Sequence, residues 1–162
     1  MVLKVGDKAP DFEAIDQEGN IFKLSSLIGR KNIVLYFYPK DFSTGCTIET
    51  RQFTSAYKEF KELNAEVIGI SADDQNTHKM FAKECGAEFP LLSDADSSIR
   101  RLYDVKQTLG LIPARVTYII DRQGRIAHVF SSQLFPSKHV HEAKRILSEL
   151  LEKQNKAPDI IG

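Results

Sequence analysis

The sequence has little of several features that mark particular protein classes. Its 162 residues include only two cysteines, Cys46 and Cys85, and neither belongs to a CxxC pair, so the disulfide scaffold of small secreted proteins is excluded. The 22 basic and 22 acidic residues cancel, and no run of lysine or arginine forms a basic stripe. We therefore expect no nucleic-acid partner and no anionic-membrane partner, which leaves small molecules and other proteins.

Long apolar segments are also missing. The longest apolar run, residues 33–38, is far too short to span a bilayer, and residues 1–12 contain no apolar signal core. A chain with two unpaired thiols is expected in a reducing compartment, by default the cytoplasm. An organelle location stays open if a targeting peptide has been removed.

The chain does have enough apolar residues for one hydrophobic core. With 162 residues, 42% of them apolar, it is long enough for one domain and too short for two comfortable ones. We expect a single domain over residues 1–162, with a C-terminal tail from about residue 155. No internal repeat is visible.

Strand and helix patterns alternate along the first half of the chain. A hairpin is predicted around the turn DQEGN, because Gly19 and Asn20 tolerate the positive φ of tight turns. Residues 32–38 and 67–71 are apolar without polar alternation, which is typical of strands covered on both faces. Each is followed by a helical pattern, so this half predicts parallel strands joined by helices.

The second half continues this order. Asp73 or Asp74 is expected to cap a helix that ends at Cys85 before Gly86. A short strand, a short helix over residues 94–103 and a loop over residues 105–114 follow. The last elements are a hairpin over residues 116–121 and 125–130 and a helix over residues 138–153. The whole order predicts an α/β fold with a central mixed sheet flanked by helices.

Cys46 is the residue that most suggests chemistry. The apolar strand pattern stops at Pro39, a short polar loop follows, and Cys46 opens an amphipathic helix. The N–H groups of the first turn and the helix dipole favour an anion there, so this thiol should ionise more easily than a free one. Without further signals the usual interpretation would be a buried, inert cysteine.

Other polar and aromatic residues carry weaker signals. His128, His139 and His141 have no neighbours at metal-ligand spacing, so we expect packed or solvated histidines and no metal site. Phe37, Tyr38 and Phe42 are expected in the core and the wall of a pocket.

Six short segments of the chain occur together, in register, in one known family. They are VGDKAPDF (residues 5–12), LYFYPKD (35–41), GCTIE (45–49), VIGISAD (67–73), FPLLSD (89–94) and RVTYIIDRQGRI (115–126). On these segments the chain is similar to the peroxiredoxins of the AhpC/TSA superfamily, and among them to the bacterioferritin-comigratory-protein or PrxQ branch. The resemblance covers nearly the whole chain. It implies a thioredoxin-like fold and a thiol-dependent peroxidase that reduces hydrogen peroxide and alkyl hydroperoxides without metal, haem or flavin.

The resemblance also implies roles for Cys46 and the loop before it. Cys46 matches the peroxidatic cysteine, whose thiolate attacks a peroxide oxygen and becomes a sulfenic acid. The family motif PxxxTxxC is represented here by Pro39, Ser43 and Cys46. Ser43 keeps the hydroxyl that would bind peroxide and thiolate but lacks the methyl group that restricts its rotamer, and it could equally be a plain helix cap. Thr44 is a backup donor, and Pro39 would shield the pocket from water.

Two charged residues match family positions as well. Arg115 matches the active-site arginine, which would stabilise the thiolate and hold the departing oxygen. Its local sequence alone fits a surface strand arginine equally well. Glu49 matches the acid of the family's CTxE segment, where it suits the helix dipole but would oppose ionisation of the thiol unless a cation pairs with it. We expect a structural role for Glu49.

The second thiol has two possible roles. Many PrxQ relatives carry a resolving cysteine five residues after the nucleophile, where this chain has Arg51. Others place it in the second helix, at a position corresponding to about Ala82. Three residues turn a helix by about 300°, so Cys85 lies about 60° from the direction of Ala82 and could still face the site. Cys85 is therefore either the resolving thiol or a buried thiol at a helix end, in which case an outside thiol would reduce the sulfenic acid.

Recycling by thioredoxin or a similar dithiol protein, and a monomeric state, are also implied by the resemblance. Two other functions stay open from the residues themselves. One is a cysteine hydrolase or acyltransferase that uses Cys46 with a histidine base. The other is a non-enzymatic thioredoxin-like module that binds or chaperones a partner.

Overall fold

The order of elements in the computed structural model follows the alternation predicted above. The model describes residues 3–105, 107–108, 112–113, 115–131 and 136–156. The elements are β1 (Glu13–Ile15), β2 (Ile21–Lys23), a 3-10 turn (Leu24–Ser26), β3 (Asn32–Phe37), α1 (Thr44–Glu62), β4 (Ala65–Ser71), α2 (Gln75–Cys85), β5 (Leu91–Ser93), α3 (Ser98–Leu102), β6 (Gln107–Thr108), β7 (Ile112–Pro113), β8 (Val116–Ile120), β9 (Ile126–Ser131) and α4 (Pro136–Lys156).

Strand β3 lies in the middle of a five-stranded sheet with the order β5-β4-β3-β8-β9. It pairs in parallel with β4 and antiparallel with β8, so the sheet is mixed as predicted. All six residues of β3 are buried, because both faces of the sheet are covered. The predicted N-terminal hairpin is confirmed by the antiparallel pair β1–β2, which forms a separate two-stranded sheet.

Alternate side chains of β3 enter two different cores, as the two-residue period of a strand requires. Val34 and Tyr36 belong to a core formed with α1, α2 and α4. Ile33, Leu35 and Phe37 belong to the core on the opposite face, under the N-terminal segment and α3. The cysteine-bearing helix therefore packs on the Tyr36 face of the sheet.

Helix α2 begins and ends where its sequence predicts. The Asp74 side chain accepts a hydrogen bond from the Thr77 backbone N–H, which caps the first turn. Gly86 takes the left-handed conformation at φ 71°, which ends the helix directly after Cys85.

Other predicted boundaries were wrong. The short helix contains only Ser98–Leu102, because the Asp94 carboxylate accepts the N–H groups of Ile99 and Arg100 and so defines a later start. The predicted loop over residues 105–114 contains the antiparallel pair β6–β7. Helix α4 extends to Lys156, two residues into the predicted tail, while residues 157–162 lie outside the described part of the chain.

Within the described residues, no helix is both long enough and apolar enough to cross a membrane.

Candidate active site

Cys46 lies in the first turn of α1 and is completely buried. The helix begins at Thr44, with Ser43 as its N-cap residue, so the thiol is placed close to the positive end of the helix dipole as the sequence predicts. Its side chain packs in the same core as Tyr36, Tyr38 and Phe53. The nucleophile candidate is thus held in an apolar pocket rather than on the surface.

Arg115 is brought to Cys46 by strand pairing. It directly precedes β8, and the pairing of Val116 with Phe37 places it at the end of β3 from which the loop to α1 departs. Its side chain is buried, and Nη1 donates a hydrogen bond to Cys46 Sγ at 3.5 Å. The residue is therefore not a surface strand arginine, and a positive charge faces the thiol.

The same nitrogen of Arg115 also holds Glu49. Nη1 lies 2.7 Å from Glu49 Oε1, in an ion pair that is buried on both sides. Burial raises the pKa of Glu49 to about 8, although the charge of Arg115 acts in the opposite direction. Burial alone would lower the pKa of Arg115, but the charges of Glu49 and then Cys46 raise it above its ordinary value. Glu49 is therefore paired with a cation, which is the condition under which it does not oppose ionisation of the Cys46 thiol.

His139 faces Glu49 from α4. Its Nδ1 lies 3.6 Å from Glu49 Oε2 and 2.7 Å from Thr117 Oγ1, and the ring is fully buried. No local pattern singled out this contact, because it joins α1, β8 and α4. The sequence predicts packed or solvated histidines, and His139 is a packed one. His128 is partly exposed, with its Nε2 3.3 Å from Glu142 Oε1.

The loop before Cys46 positions the other predicted site residues. Ser43 is the N-cap residue of α1, as the alternative interpretation has it, but its Oγ donates to the Lys40 carbonyl at 2.9 Å and makes no side-chain cap bond. Thr44 is exposed at the first position of α1, and Pro39 is half-buried at the end of β3.

Cys85 shares a core with Cys46. It is the last residue of α2, buried, and both cysteines are free. Burial raises the pKa of the Cys85 thiol, while the adjacent Arg51 guanidinium acts in the opposite direction. Arg51 lies five residues after Cys46 on α1, which corresponds to about 7.5 Å along the helix axis. The second thiol thus lies beside the residue five positions after Cys46 on the first long helix.

A second buried polar cluster joins the loop before Cys46 to helix α2. Asp41 Oδ2 is 2.6 Å from His78 Nδ1, and the Tyr38 hydroxyl donates to Asp41 Oδ1 at 2.6 Å. Asp41, Asp73 and His78 are close enough to hold a metal ion, with ligand atoms within 4.8 Å of one another. All three side chains are engaged in protein hydrogen bonds, so the cluster is explained without an ion. No motif of the sequence indicates this cluster, because its members come from three separate segments.

Comparisons with known proteins agree with this architecture. Residues 5–129 match the AhpC/TSA family. The chain is 41% identical over 146 residues to "Peroxiredoxin Q, chloroplastic" of Oryza sativa subsp. japonica, covering 90% of this chain and 67% of that protein. It is 40% identical over 146 residues to the protein of the same name from Sedum lineare, covering 90% and 78%.

Solved structures are similar over almost their full length. Peroxidoxin BcpB from Mycobacterium tuberculosis has a TM-score of 0.85 at 35% identity, covering 91% of this chain and 98% of that one. A Cys→Ser mutant of Xylella fastidiosa PrxQ also has a TM-score of 0.85, at 28% identity and with 92% and 98% coverage. The predicted thioredoxin-like fold is confirmed by these structures. The chain belongs to the AhpC/TSA family, in its peroxiredoxin Q branch, and is a thiol-dependent peroxidase.

Proposed function

We propose that Cys46 is the peroxidatic nucleophile and that Arg115 is its electrostatic partner in the reduction of hydrogen peroxide and alkyl hydroperoxides. The observation that carries this proposal is the 3.5 Å contact between Arg115 Nη1 and Cys46 Sγ in a buried site. A guanidinium next to sulfur stabilises the thiolate more strongly in an apolar pocket than in water.

The proposed step moves one oxygen atom to sulfur. The Cys46 thiolate attacks one peroxide oxygen, an S–O bond forms and the O–O bond breaks. Sulfur is oxidised to sulfenic acid, and the departing hydroxide or alkoxide takes a proton to leave as water or alcohol. Negative charge shifts from sulfur to the departing oxygen during this step, and the fixed charge of Arg115 can follow it without rearrangement.

The loop residues would position the peroxide. The Ser43 hydroxyl gives its hydrogen to the Lys40 carbonyl, which leaves its lone pairs able to accept a peroxide O–H. Thr44, exposed at the helix start, is the second candidate donor. Pro39 would limit the access of water to the thiol from the end of β3.

Cys85 is proposed as the resolving thiol. Its place in the same core as Cys46, beside Arg51, supports this role, because the guanidinium favours the Cys85 thiolate against the effect of burial. A disulfide requires Cα atoms within about 7 Å of each other, and we propose that the first turn of α1 unwinds to bring the two thiols together. Reduction of this disulfide would fall to thioredoxin or a similar dithiol protein. The alternative is direct reduction of the sulfenic acid by an outside thiol.

The state and location of the protein are also proposals. We infer a monomer, and we infer a reducing compartment, which the two free cysteines support. The plant relatives are chloroplastic by name, so an organelle is as suitable a compartment as the cytoplasm.

One experiment tests the nucleophile and the fate of its product. Reduced protein is mixed with one equivalent of hydrogen peroxide, and intact mass and free thiols are followed over seconds. We expect Cys46 to oxidise far faster than a small free thiol and Cys46→Ser to lose this reaction. Oxidation of the wild type no faster than free cysteine would overturn the proposal.

A further inference from the structure

Three buried side chains connect the loop before Cys46 to helix α2. His78 and Tyr38 are fully buried, and Asp41 is 2% exposed. Asp41 lies in the loop, whereas His78 lies in the first half of α2. The 2.6 Å contact between His78 Nδ1 and Asp41 Oδ2 therefore joins two segments that are far apart in the chain.

The hydrogen-bond partners of His78 decide where its protons are. Nε2 lies 3.0 Å from the Leu92 carbonyl, which can only accept, so Nε2 carries a hydrogen. Nδ1 then either donates to an Asp41 carboxylate or accepts from a protonated Asp41. In both cases one proton lies between His78 and Asp41. Because the Tyr38 hydroxyl occupies the other Asp41 oxygen, the side chain of Asp41 is bound at both ends.

The backbone next to Asp41 needs such support. The Asp41 N–H donates to Asp73 Oδ2 at 2.8 Å. Phe42 follows with φ 65°, a conformation that residues other than glycine rarely adopt unless their surroundings hold them there. Its half-exposed ring packs edge-on against Phe81 of α2, with 5.1 Å between ring centres. Ser43 and the first turn of α1, with Cys46, come directly after this strained residue.

We propose that His78 is a positioning residue for peroxide reduction: through Asp41 it holds the loop and the first turn of α1 in the conformation that keeps Cys46 beside Arg115. The contact between His78 and Asp41 would have to open whenever Cys46 leaves this pocket. His78 and Cys85 are seven residues apart on α2, which is about two turns. The positioning residue and the proposed resolving thiol therefore lie on the same side of this helix. This inference rests on the proposed role of Cys46.

The two imidazole contacts can be separated by substitution. An asparagine amide can replace Nδ1 as the donor to Asp41, and a glutamine amide reaches the position of Nε2 near the Leu92 carbonyl. His78→Asn should therefore keep the contact with Asp41, and His78→Gln should lose it. Both variants are made in a Cys85→Ser background so that Cys46 is the only thiol.

If the inference is right, loss of the contact with Asp41 makes alkylation of Cys46 faster and its oxidation by hydrogen peroxide slower. Cys46 is fully buried, so an alkylating reagent such as iodoacetamide reaches it only when the loop opens. We expect His78→Gln to be alkylated roughly tenfold faster or more and oxidised by hydrogen peroxide more slowly, since one hydrogen bond to a buried charge is lost. His78→Asn should stay within about threefold of its parent in both reactions. Hydrogen exchange should show the added opening in residues 41–47.

A second pair of variants keeps the inference testable if substitution of His78 prevents folding. Tyr38→Phe removes the hydroxyl that binds Asp41, and Tyr36→Phe removes an equally buried hydroxyl that binds Thr50 at 3.0 Å instead. Only Tyr38→Phe should increase alkylation and exchange in the loop. The role of His78 would be overturned if His78→Gln reacted like His78→Asn and Tyr38→Phe reacted like Tyr36→Phe. A variant that lost alkylation and peroxide oxidation of Cys46 together would overturn it as well. Slow peroxide oxidation of the Cys85→Ser parent would instead overturn the proposed role of Cys46.

Discussion

Arg115 and Glu49 form an ion pair that is buried at the start of β8, with 2.7 Å between Nη1 and Oε1. The same Nη1 contacts Cys46 Sγ at 3.5 Å, so the guanidinium is shared between a carboxyl group and the thiol. Glu49 thus limits the positions that the arginine can take. This pair contacts the thiol directly, whereas the contact between Asp41 and His78 joins the loop before Cys46 to α2.

Arg115→Lys is expected to lower the rate of Cys46 oxidation by about 10²–10³-fold. A lysine keeps the charge but carries it on a flexible stem, so its ammonium is not held between sulfur and Glu49 as the Nη1 of the rigid guanidinium is. Stopped-flow oxidation with hydrogen peroxide measures the effect. The matched control is Arg125→Lys, at an exposed arginine of the β8–β9 hairpin. An Arg115→Lys rate equal to that of the control would show that Arg115 has no role in the oxidation step.

The ionisation of Glu49 predicts a pH dependence of stability. Its pKa is raised to about 8 in the folded protein, so the folded state binds more protons than the unfolded state between its ordinary value and pH 8. Stability should therefore fall as the pH rises through this range, by up to about 1.4 kcal/mol per pH unit.

Glu49→Gln should remove this contribution, because the amide does not ionise. Its free energy of unfolding should change less between pH 5.5 and pH 8.5 than that of the wild type. Urea unfolding of both proteins under reducing conditions gives the comparison. Glu59→Gln, at an exposed position of the same helix, is the control and should follow the wild-type pH dependence. Parallel curves for wild type and Glu49→Gln would contradict the raised pKa.

Cys85→Ser tests the resolving role. If Cys85 captures the oxidised sulfur, the wild type should lose two hydrogens after one equivalent of peroxide, whereas the variant should keep one added oxygen atom. Intact mass and trapping of the sulfenic acid by dimedone distinguish the two products. A persistent sulfenic acid in the wild type as well would mean that an outside thiol completes the cycle.

Ser43→Ala is expected to slow oxidation by roughly 3–10-fold, the effect of one lost hydrogen bond to the peroxide. Ser43→Thr should retain the rate of the wild type or exceed it, because the added methyl group restricts the hydroxyl rotamer. Thr44→Ala serves as the comparison in the same stopped-flow assay. A larger loss in Thr44→Ala than in Ser43→Ala would assign the hydroxyl that binds peroxide to Thr44 instead.

Several parts of this molecule could be predicted because their signals are local. The unbroken apolar run of residues 33–38 indicated a buried central strand, and β3 is that strand. Asp74 and Gly86 carry the side-chain and backbone preferences that start and end α2. The start of the short helix was predicted wrongly, because it depends on which backbone N–H groups the Asp94 carboxylate accepts. The pair β6–β7 was predicted as a loop, because each strand has only two residues and carries no apolar pattern of its own.

The sequence by itself determined which thiol begins a helix, and its motifs indicated the family, because capping, periodicity and short segments depend on neighbouring residues. Only the tertiary structure decided which groups surround that thiol. Arg115 is 69 residues from Cys46, and His78 is 37 residues from Asp41. Strand order and helix packing produce these contacts, and no local spacing encodes them. Burial in the folded chain also raises the pKa of Glu49, which no local sequence pattern predicts.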